Sequence, residues 1–414
     1  MDFDPALMSS IERLGYQVTV GDVAANAGIE INQAQKGLLA LASQTQGDLL
    51  VSETGDIVYK FPHNFRSILT NRYWQLRFKE YLRAIWKAVF YIIRISFGIA
   101  LMLSIALMSI AVVLIMIAAS STQDNDNNGS FGGGDGGSVI FLGNPFDSFW
   151  LFEPNYNGER KNPSRKMNFL ESVFSFLFGD GDPNADLEQR RWNTIATVIR
   201  NNRGSVIAEQ LAPYLDNIKD IENDNYVIPV LSKFNGYPEV SPTGEIIYHF
   251  PELQVTTKNH SQSTISNYLE ESKWQFTKAS PEQVTLSVGL GSLNVALSFI
   301  LGSLLKGSAA VKLGAFILFI ASIYHGLIFY AAAFFAIPIM RYFALKRRNN
   351  NLEKRNIERH NLSNWLTQNL EKLQSKMLYA SQYSQEKVIK AEDIRYSTET
   401  DLLEQQWQKR LNQS

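Results

Sequence analysis

The chain has 414 residues, 45% of them hydrophobic and 19% charged, with a formal net charge of -1. It therefore has room for roughly two or three domains, and no global charge draws it toward nucleic acid or anionic lipid. It contains no cysteine, which excludes disulfides, thiol nucleophiles, Cys-ligated zinc and ordinary thiolate-held iron–sulfur clusters. The first residues, Met1-Asp2-Phe3-Asp4-Pro5, are acidic and carry no apolar run, so no cleavable secretory signal is expected and membrane insertion would rely on internal segments.

In chain order, Leu7, Met8, Ile11 and Leu14 recur at helical spacing and Gly15 suits the stop. A second short helix is expected over Thr19 to Gly28, and a third from Ile31 to about Gln44 with Leu38, Leu39, Leu41 and Ala42 available to face inward. A hairpin over Leu49 to Phe61 follows, with Ile57, Tyr59 and Phe61 on one buried face. Helix, turn, helix and hairpin in this order are the parts of a winged helix.

The hairpin returns later in the chain. Val51-Ser52-Glu53-Thr54-Gly55-Asp56-Ile57-Val58-Tyr59-Lys60-Phe61-Pro62 reappears as Val240-Ser241-Pro242-Thr243-Gly244-Glu245-Ile246-Ile247-Tyr248-His249-Phe250-Pro251. A helix through Leu187, Trp192, Ile195, Val198 and Ile199 precedes the second copy, with further helices expected over Val206 to Leu215 and Tyr226 to Phe234. Pro229 should distort the last of these or mark its first turn.

Neither copy is charged like a DNA reader. From Met1 to Lys60 only Arg13, Lys36 and Lys60 oppose Asp2, Asp4, Glu12, Asp22, Glu30, Asp48, Glu53 and Asp56, and the presumed recognition helix carries Lys36 alone. Phosphate binding demands several Lys or Arg contacts. No nucleic-acid partner is therefore expected, and the winged domains read as protein-contact modules.

Between the first hairpin and the first apolar run, Trp74, Phe78, Tyr81, Leu82 and Ile85 form one stripe of an amphipathic helix over Asn71 to Lys87, flanked by Arg72, Arg77, Lys79, Arg83 and Lys87. Phe97 to Ala119 has no charge and is long enough to cross a bilayer. Arg94 interrupts the apolar residues before it and should snorkel to the surface. Ser120 to Ser138 is a polar, Gly-rich loop. Within it Asp124, Asp126, Asn128 and Asp135 approach the oxygen spacing of a calcium loop, although Gly132-Gly133-Gly134 and a terminal Asp depart from the pattern and no calcium is assigned. These glycines also lack the strand-to-helix setting of a nucleotide loop. Val139 to Asn157, with Phe141, Phe146, Phe149, Trp150 and Phe152, reads as an irregular aromatic segment suited to an interface or the headgroup region, and Met167 to Phe178 as an apolar helix too short to span, either interfacial or packed on the second winged domain.

A polar helix is expected around Asn267 to Phe276, then an apolar run over Val284 to Leu305 dotted with small residues. Gly289-x-Gly291 with Asn294 faintly resembles a dinucleotide fingerprint, but close helix packing explains the same residues. Leu313 to Met340 is a further span, enclosing His325, which reads as a hydrogen-bonded packing residue. Arg341, Lys346, Arg347 and Arg348 place the tail on the cytoplasmic or stroma-like side, as the basic flank of Arg72 to Lys87 does for the N-terminal side. Three apolar runs conflict in parity with two ends on one side. Either Val284 to Leu305 does not fully cross, or a return lies between Ala88 and Phe178. The tail is expected to be helical, with a seam of Leu362, Leu366, Leu370, Leu373 and Met377, and a last helix capped by Thr398 and Asp401 through Leu402, Leu403 and Trp407.

The segments Phe169 to Asn184, Glu209-Gln210-Leu211-Ala212-Pro213-Tyr214 and Asp401-Leu402-Leu403-Glu404-Gln405-Gln406 resemble an uncharacterised integral membrane-protein family of cyanobacteria and chloroplasts. Plant members of that family carry a label of iron–sulfur cluster biosynthesis. The resemblance implies a thylakoid or plasma-membrane protein. With no cysteine available to hold a cluster, that activity is not carried over.

The expected fold is mixed α+β, an α-helical membrane protein with two tandem winged-helix-like domains and a helical C-terminal tail. Its parts are a winged-helix-like domain at 1–62, a juxtamembrane helix at 63–87, a transmembrane helix at 88–119 and a loop at 120–166. An amphipathic helix with the second winged-helix-like domain takes 167–252, a connecting helix 253–283, one or two membrane segments 284–340, and the tail 341–414. No catalytic, cofactor or metal residue stands out. The expected partners are the lipid bilayer, other membrane or peripheral proteins, and a second copy in a homo-oligomer. The expected function is a non-enzymatic membrane scaffold or assembly factor. The alternatives are a membrane-tethered transcription regulator, or a transporter or membrane enzyme, for which Asn294 and His325 are the available polar groups.

Overall fold

The computed structural model describes residues 4–72, 74–121, 167–218, 220–257, 264–306 and 314–399, with the side chains of 71, 72, 74–77, 79, 80, 120 and 121 left aside. The described chain is mixed α/β, mostly helical, with sheets of four, three and two strands. It divides into two compact units. One holds Met1–Tyr81, Asp182–Lys273 and Asn350–Ser414, the other Leu82–Gly181 and Trp274–Asn349.

The first unit contains both copies of the repeat. In the first, α1 (Pro5–Leu14) starts where the Asp4 carboxylate accepts the Ala6 N–H at 2.8 Å, and stops at Gly15. Strand β1 (Gln17–Val18) leads to α2 (Val20–Ala27), whose start is held by a reciprocal cap: the Asp22 N–H donates to the Thr19 hydroxyl and the Thr19 N–H to the Asp22 carboxylate. Helix α3 (Ile31–Thr45) buries Ile31, Ala34, Leu38 and Leu41, but leaves Leu39 on the outside, contrary to the inward face expected for it. Strands β2 (Asp48–Ser52) and β3 (Ile57–Lys60) pair antiparallel, and β1 joins β3 through Gln17↔Lys60 and Val18↔Tyr59. Helix α4 (Phe65–Arg72) follows.

In the second copy α7 (Leu187–Asn201), β4 (Ser205–Val206), α8 (Ala208–Leu211), α9 (Ile228–Phe234), β5 (Tyr237–Val240) and β6 (Ile246–His249) repeat the order. Pro229 lies in the first turn of α9, where a missing N–H costs nothing. Strand β4 joins β6 through Ser205↔His249 and Val206↔Tyr248, the same register as β1 on β3. One core serves both copies: Ile11, Leu38 and Phe61 lie in the same cluster as Ile195, Phe234 and Phe250.

Among the described residues of 253–283, the polar helix expected around Asn267 to Phe276 is not formed. After α10 (Pro251–Gln254) and β7 (Val255–Thr256), the described residues 264–280 run without helix, because side chains take their backbone groups. Asn356 pairs with both the N–H and the carbonyl of Glu271, Asn184 does the same for Ser272, and Arg359 takes the Leu269 carbonyl. Each such bond replaces one that a helix would have made.

The second unit is helical. It contains α6 (Phe169–Phe178), α11 (Pro281–Leu304) and most of the apolar lengths of α5 (Trp74–Ser121) and α12 (Gly314–Gln368). Tyr81–Ala119, Pro281–Leu304 and Gly314–Gln368 are long and apolar enough to cross a membrane. Met108, Val112 and Ile115 of α5 meet Leu297 and Leu301 of α11 and Ile317 and Ile320 of α12. Met167 to Phe178, expected to be interfacial or packed on the second winged domain, instead gives a helix that packs on the apolar helices, through Val173, Phe176 and Leu177 against Leu101 and Phe334. Gly291 and Gly302 do allow close packing, since a Cβ there would lie 2.4 Å from Phe334 and 1.9 Å from Tyr324, whereas Gly289 faces open space.

Two further expectations change. Arg94 does not reach outward but pairs with Asp180 at 2.6 Å, and that carboxylate also accepts from the Ser175 hydroxyl and the Lys278 N–H. A charge with a fixed partner avoids the cost of an isolated one in an apolar setting. The tail is helical only in part. After α12 the chain breaks at Asn369, resumes as α13 (Leu370–Gln382), and then forms β8 (Lys387–Val388), parallel to β7, and β9 (Ile394–Ser397), antiparallel to β2. The expected seam is thereby split, with Leu373 buried and Leu370 exposed. The calcium-like residues Asp124, Asp126, Asn128 and Asp135, the aromatic segment around Phe149, the Trp74 side chain and the helix expected at Leu402 to Trp407 fall outside the described residues.

Candidate functional site

The repeated hairpins share the frame of their turns. The Ser52 and Thr54 hydroxyls lie 2.8 Å apart, as do those of Ser241 and Thr243. The Asp56 N–H donates to the Ser52 hydroxyl at 3.1 Å, and the Glu245 N–H to that of Ser241 at 3.0 Å. Gly55 and Gly244 both have φ +86, a region in which a side chain is strained. Ser, Thr and Gly recur because they build this turn.

The outer faces of the hairpins are covered by the tail, and the expectation of a single buried face fails for that reason. Val58 is 3% exposed because Ile389 and Ile394 lie over it with Leu50. Its counterpart Ile247 is 0% exposed, beneath Leu373 and Ala380 of α13. Ile57 and Ile246, placed on the buried face by alternation alone, are exposed at the turn. Polar contacts follow the same pattern. The Lys387 ammonium pairs with Asp56 and donates to Thr54, while the Ser375 hydroxyl donates to Glu245 at 2.9 Å and Lys376 pairs with Glu209 at 2.8 Å. Burial pushes the Asp56 carboxyl up, but the Lys387 and Thr54 bonds outweigh it and hold the group below the ordinary range. The tail also meets the outer strand of each hairpin. Strand β9 pairs with β2, and on β5 Pro238 offers no N–H while the Tyr379 hydroxyl takes the Val240 carbonyl at 3.1 Å.

The two copies meet at Asp22. Its carboxylate pairs with Arg200 of α7 at 2.8 Å and accepts from the Thr256 hydroxyl at 3.0 Å and the Thr257 N–H at 3.3 Å, while still capping α2. Beside it a cleft of about 180 Å³ is lined by Thr19, Gly21, Gln35, Asp56, Tyr59 and Glu252. Asp22 and Arg200 were not singled out in the sequence, although Thr19-x-x-Asp22 carries the capping-box spacing that could have flagged the first.

The groups weighed for transport are not brought together. Asn294 is buried and donates to the Ser104 hydroxyl, whereas His325 is exposed on another helix, its ring edge-on to Tyr324 at 5.8 Å, and not the hydrogen-bonded packing residue expected. Among the described residues no group of three or more His, Asp or Glu is placed to hold a metal ion. The exposed side chains of α3 include Asn32, Gln33, Gln35, Lys36, Leu39 and Ser43, with one cation.

A chloroplastic protein of Arabidopsis thaliana, itself described as uncharacterised, is 37% identical to this chain over 421 residues, covering 97% of the chain and 80% of the relative. No protein-family model matches the sequence. No solved structure matches it either.

Proposed function

The chain belongs to the family of this Arabidopsis chloroplast protein, and we propose that it is a multi-pass protein of a photosynthetic membrane that recruits or assembles other proteins through two winged-helix-like domains. The observation that carries this reading is the single compact unit formed by the first repeat, the second repeat and the tail. A folded unit of this kind sits on one side of a bilayer. An even number of crossings therefore separates the repeats, and another even number lies between the second repeat and the tail.

The helical unit supports that count. Helices α11 and α12 make two crossings, and the Arg341 guanidinium, from within α12, donates to the carbonyls of Ser175 and of Phe276, shortly before α11. Helix α5 leaves the same end at Arg94 and finishes at Ser121, roughly 40 Å further along by helix rise. Farther along the chain, the Met167 sulfur lies 4.0 Å from Arg94. The return between Ala88 and Phe178 is thus the favoured answer to the parity conflict. Single-cation helix surfaces and acidic repeats favour a protein partner over DNA, and a full-length preparation that held duplex DNA at physiological ionic strength would refute this.

Topology is tested with single cysteines in the cysteine-free chain. Ser52 and Ser241 are 4% and 6% exposed and hold the turns, so the exposed neighbours Glu53 and Pro242 are the positions to use. Glu53→Cys and Pro242→Cys should react with a membrane-impermeant maleimide from the same side of sealed vesicles. Labelling from opposite sides would end the single-module reading.

A further inference from the structure

One polar side chain in the apolar helices makes no hydrogen bond among the described residues. His325 of α12 is exposed and lies about 16 Å by helix rise from Gly314 and about 24 Å from Arg341. Its imidazole meets the Tyr324 ring, and among the described residues no hydrogen bond reaches it. Hydrocarbon offers neither donor nor acceptor, and at this depth an imidazole is too short to reach the headgroups.

Its neighbours on the same stripe suggest what covers it. Leu318 and Phe329 are 69% and 74% exposed, and Leu318, Ser322, His325 and Phe329 follow the alternating four- and three-residue spacing of a helix–helix seam. Ser322 and Gly326 form the small-xxx-small pair that lets two membrane helices approach closely. A Cβ at Gly326 would meet nothing within 4 Å, so packing inside the protomer does not require a glycine there.

We propose that this stripe of α12 is the surface through which two copies of the chain pair in the bilayer, with His325 hydrogen-bonded across the interface. The occupant is a second copy because the polar groups are self-complementary. An imidazole N–H of one copy can donate to the Ser322 oxygen of the other, whose own proton goes to the Phe319 carbonyl of its helix at 2.6 Å, so a twofold axis repeats the same bond in both directions. Glycine facing glycine across the same axis permits the approach. The proposal rests on α12 crossing the membrane, but not on the scaffold function.

The test uses the full-length chain in membranes. Ser322→Cys should form a disulfide-linked dimer on mild oxidation in several-fold higher yield than Phe299→Cys, a control on the 66% exposed Phe299 of α11. Adding Gly326→Leu should reduce the Ser322→Cys yield to that of the control while leaving the thermal unfolding of the solubilised protein unchanged, because the protomer has space for the side chain. His325→Leu should raise the dimer dissociation constant about threefold, the usual weight of one interhelical hydrogen bond. Equal yields at Ser322→Cys and Phe299→Cys, no effect of Gly326→Leu, or a crosslink to a different protein would each overturn the proposal. Reaction of both cysteines with a membrane-impermeant maleimide in sealed vesicles would instead show that α11 and α12 do not cross, which separates the failure of that premise from failure of the pairing.

Discussion

Arg359→Ala is expected to destabilise the repeat-containing unit by about 3–5 kcal/mol, the range for removing one member of a buried ion network. Arg359 is 2% exposed. It donates to Asp216 at 2.9 and 2.5 Å, to Glu271 at 2.9 Å and to the Leu269 carbonyl at 2.9 Å. Removing it leaves Glu271, 4% exposed, to Arg355 alone, and frees the backbone of the non-helical strap at Leu269. Arg359→Lys should recover only part of the loss, because an ammonium cannot reproduce the planar fork that reaches three partners.

The network also fixes a pH dependence. Burial pushes the Glu271 carboxyl up, but the bonds and charges of Arg355 and Arg359 outweigh it, so its folded value lies below the ordinary 4.5. A depressed carboxyl stabilises the folded state fully above the unfolded value and loses that contribution as pH falls through the folded one. Unfolding of the purified protein followed from pH 7 to pH 3 should therefore show a loss of stability below about pH 4.5 that is smaller in Arg359→Ala. Equal acid sensitivity in the two proteins would mean that Glu271 is not held by this arginine.

The legibility of the chain follows the range of the interactions. The repeated hairpins, the starts and stops of α1 to α3, the three apolar runs and the first-turn role of Pro229 all rest on local signals: turn residues, caps and periodicity. What escaped depends on partners far along the chain. Val58 and Ile247 are buried because Ile389 and Leu373 come back over them, and no pattern within a hairpin encodes that. Arg94 is paired rather than snorkelling because Asp180 returns to it. The strap at 264–280 had a helical composition, yet Asn184 and Asn356 outcompete its own backbone. Strand β9 has a strand-like sequence in Ile394-Arg395-Tyr396-Ser397, but its four residues gain meaning only beside β2. The candidate site was thus half legible, with its turns visible and its clasp hidden.

The joint between the repeats should be the other sensitive point. Asp22→Ala removes one carboxylate that serves Arg200, Thr256, Thr257 and the cap of α2, and leaves Arg200, 14% exposed at its side chain, without its counter-charge. The expected cost is about 3–5 kcal/mol, since an unpaired guanidinium in that position has lost both charge and hydrogen bonds. Gly21→Ala attacks the same joint without touching charge. A Cβ there would lie 1.9 Å from the carbonyl oxygen of Glu252, a backbone atom that cannot rotate away, so the copies must separate locally at a cost of roughly 1–3 kcal/mol. Gly55→Ala supplies the contrast, because open space surrounds it and only its φ of +86 is strained. It should cost about 1 kcal/mol and leave the joint intact. Limited proteolysis distinguishes these cases: Asp22→Ala and Gly21→Ala should both expose the chain at α10 and β7, Pro251–Thr256, and Gly55→Ala should not. If Asp22→Ala instead melted and digested like the parent chain, the shared apolar core would hold the copies together unaided, and the buried Asp22–Arg200 pair would fix their orientation without contributing to their stability.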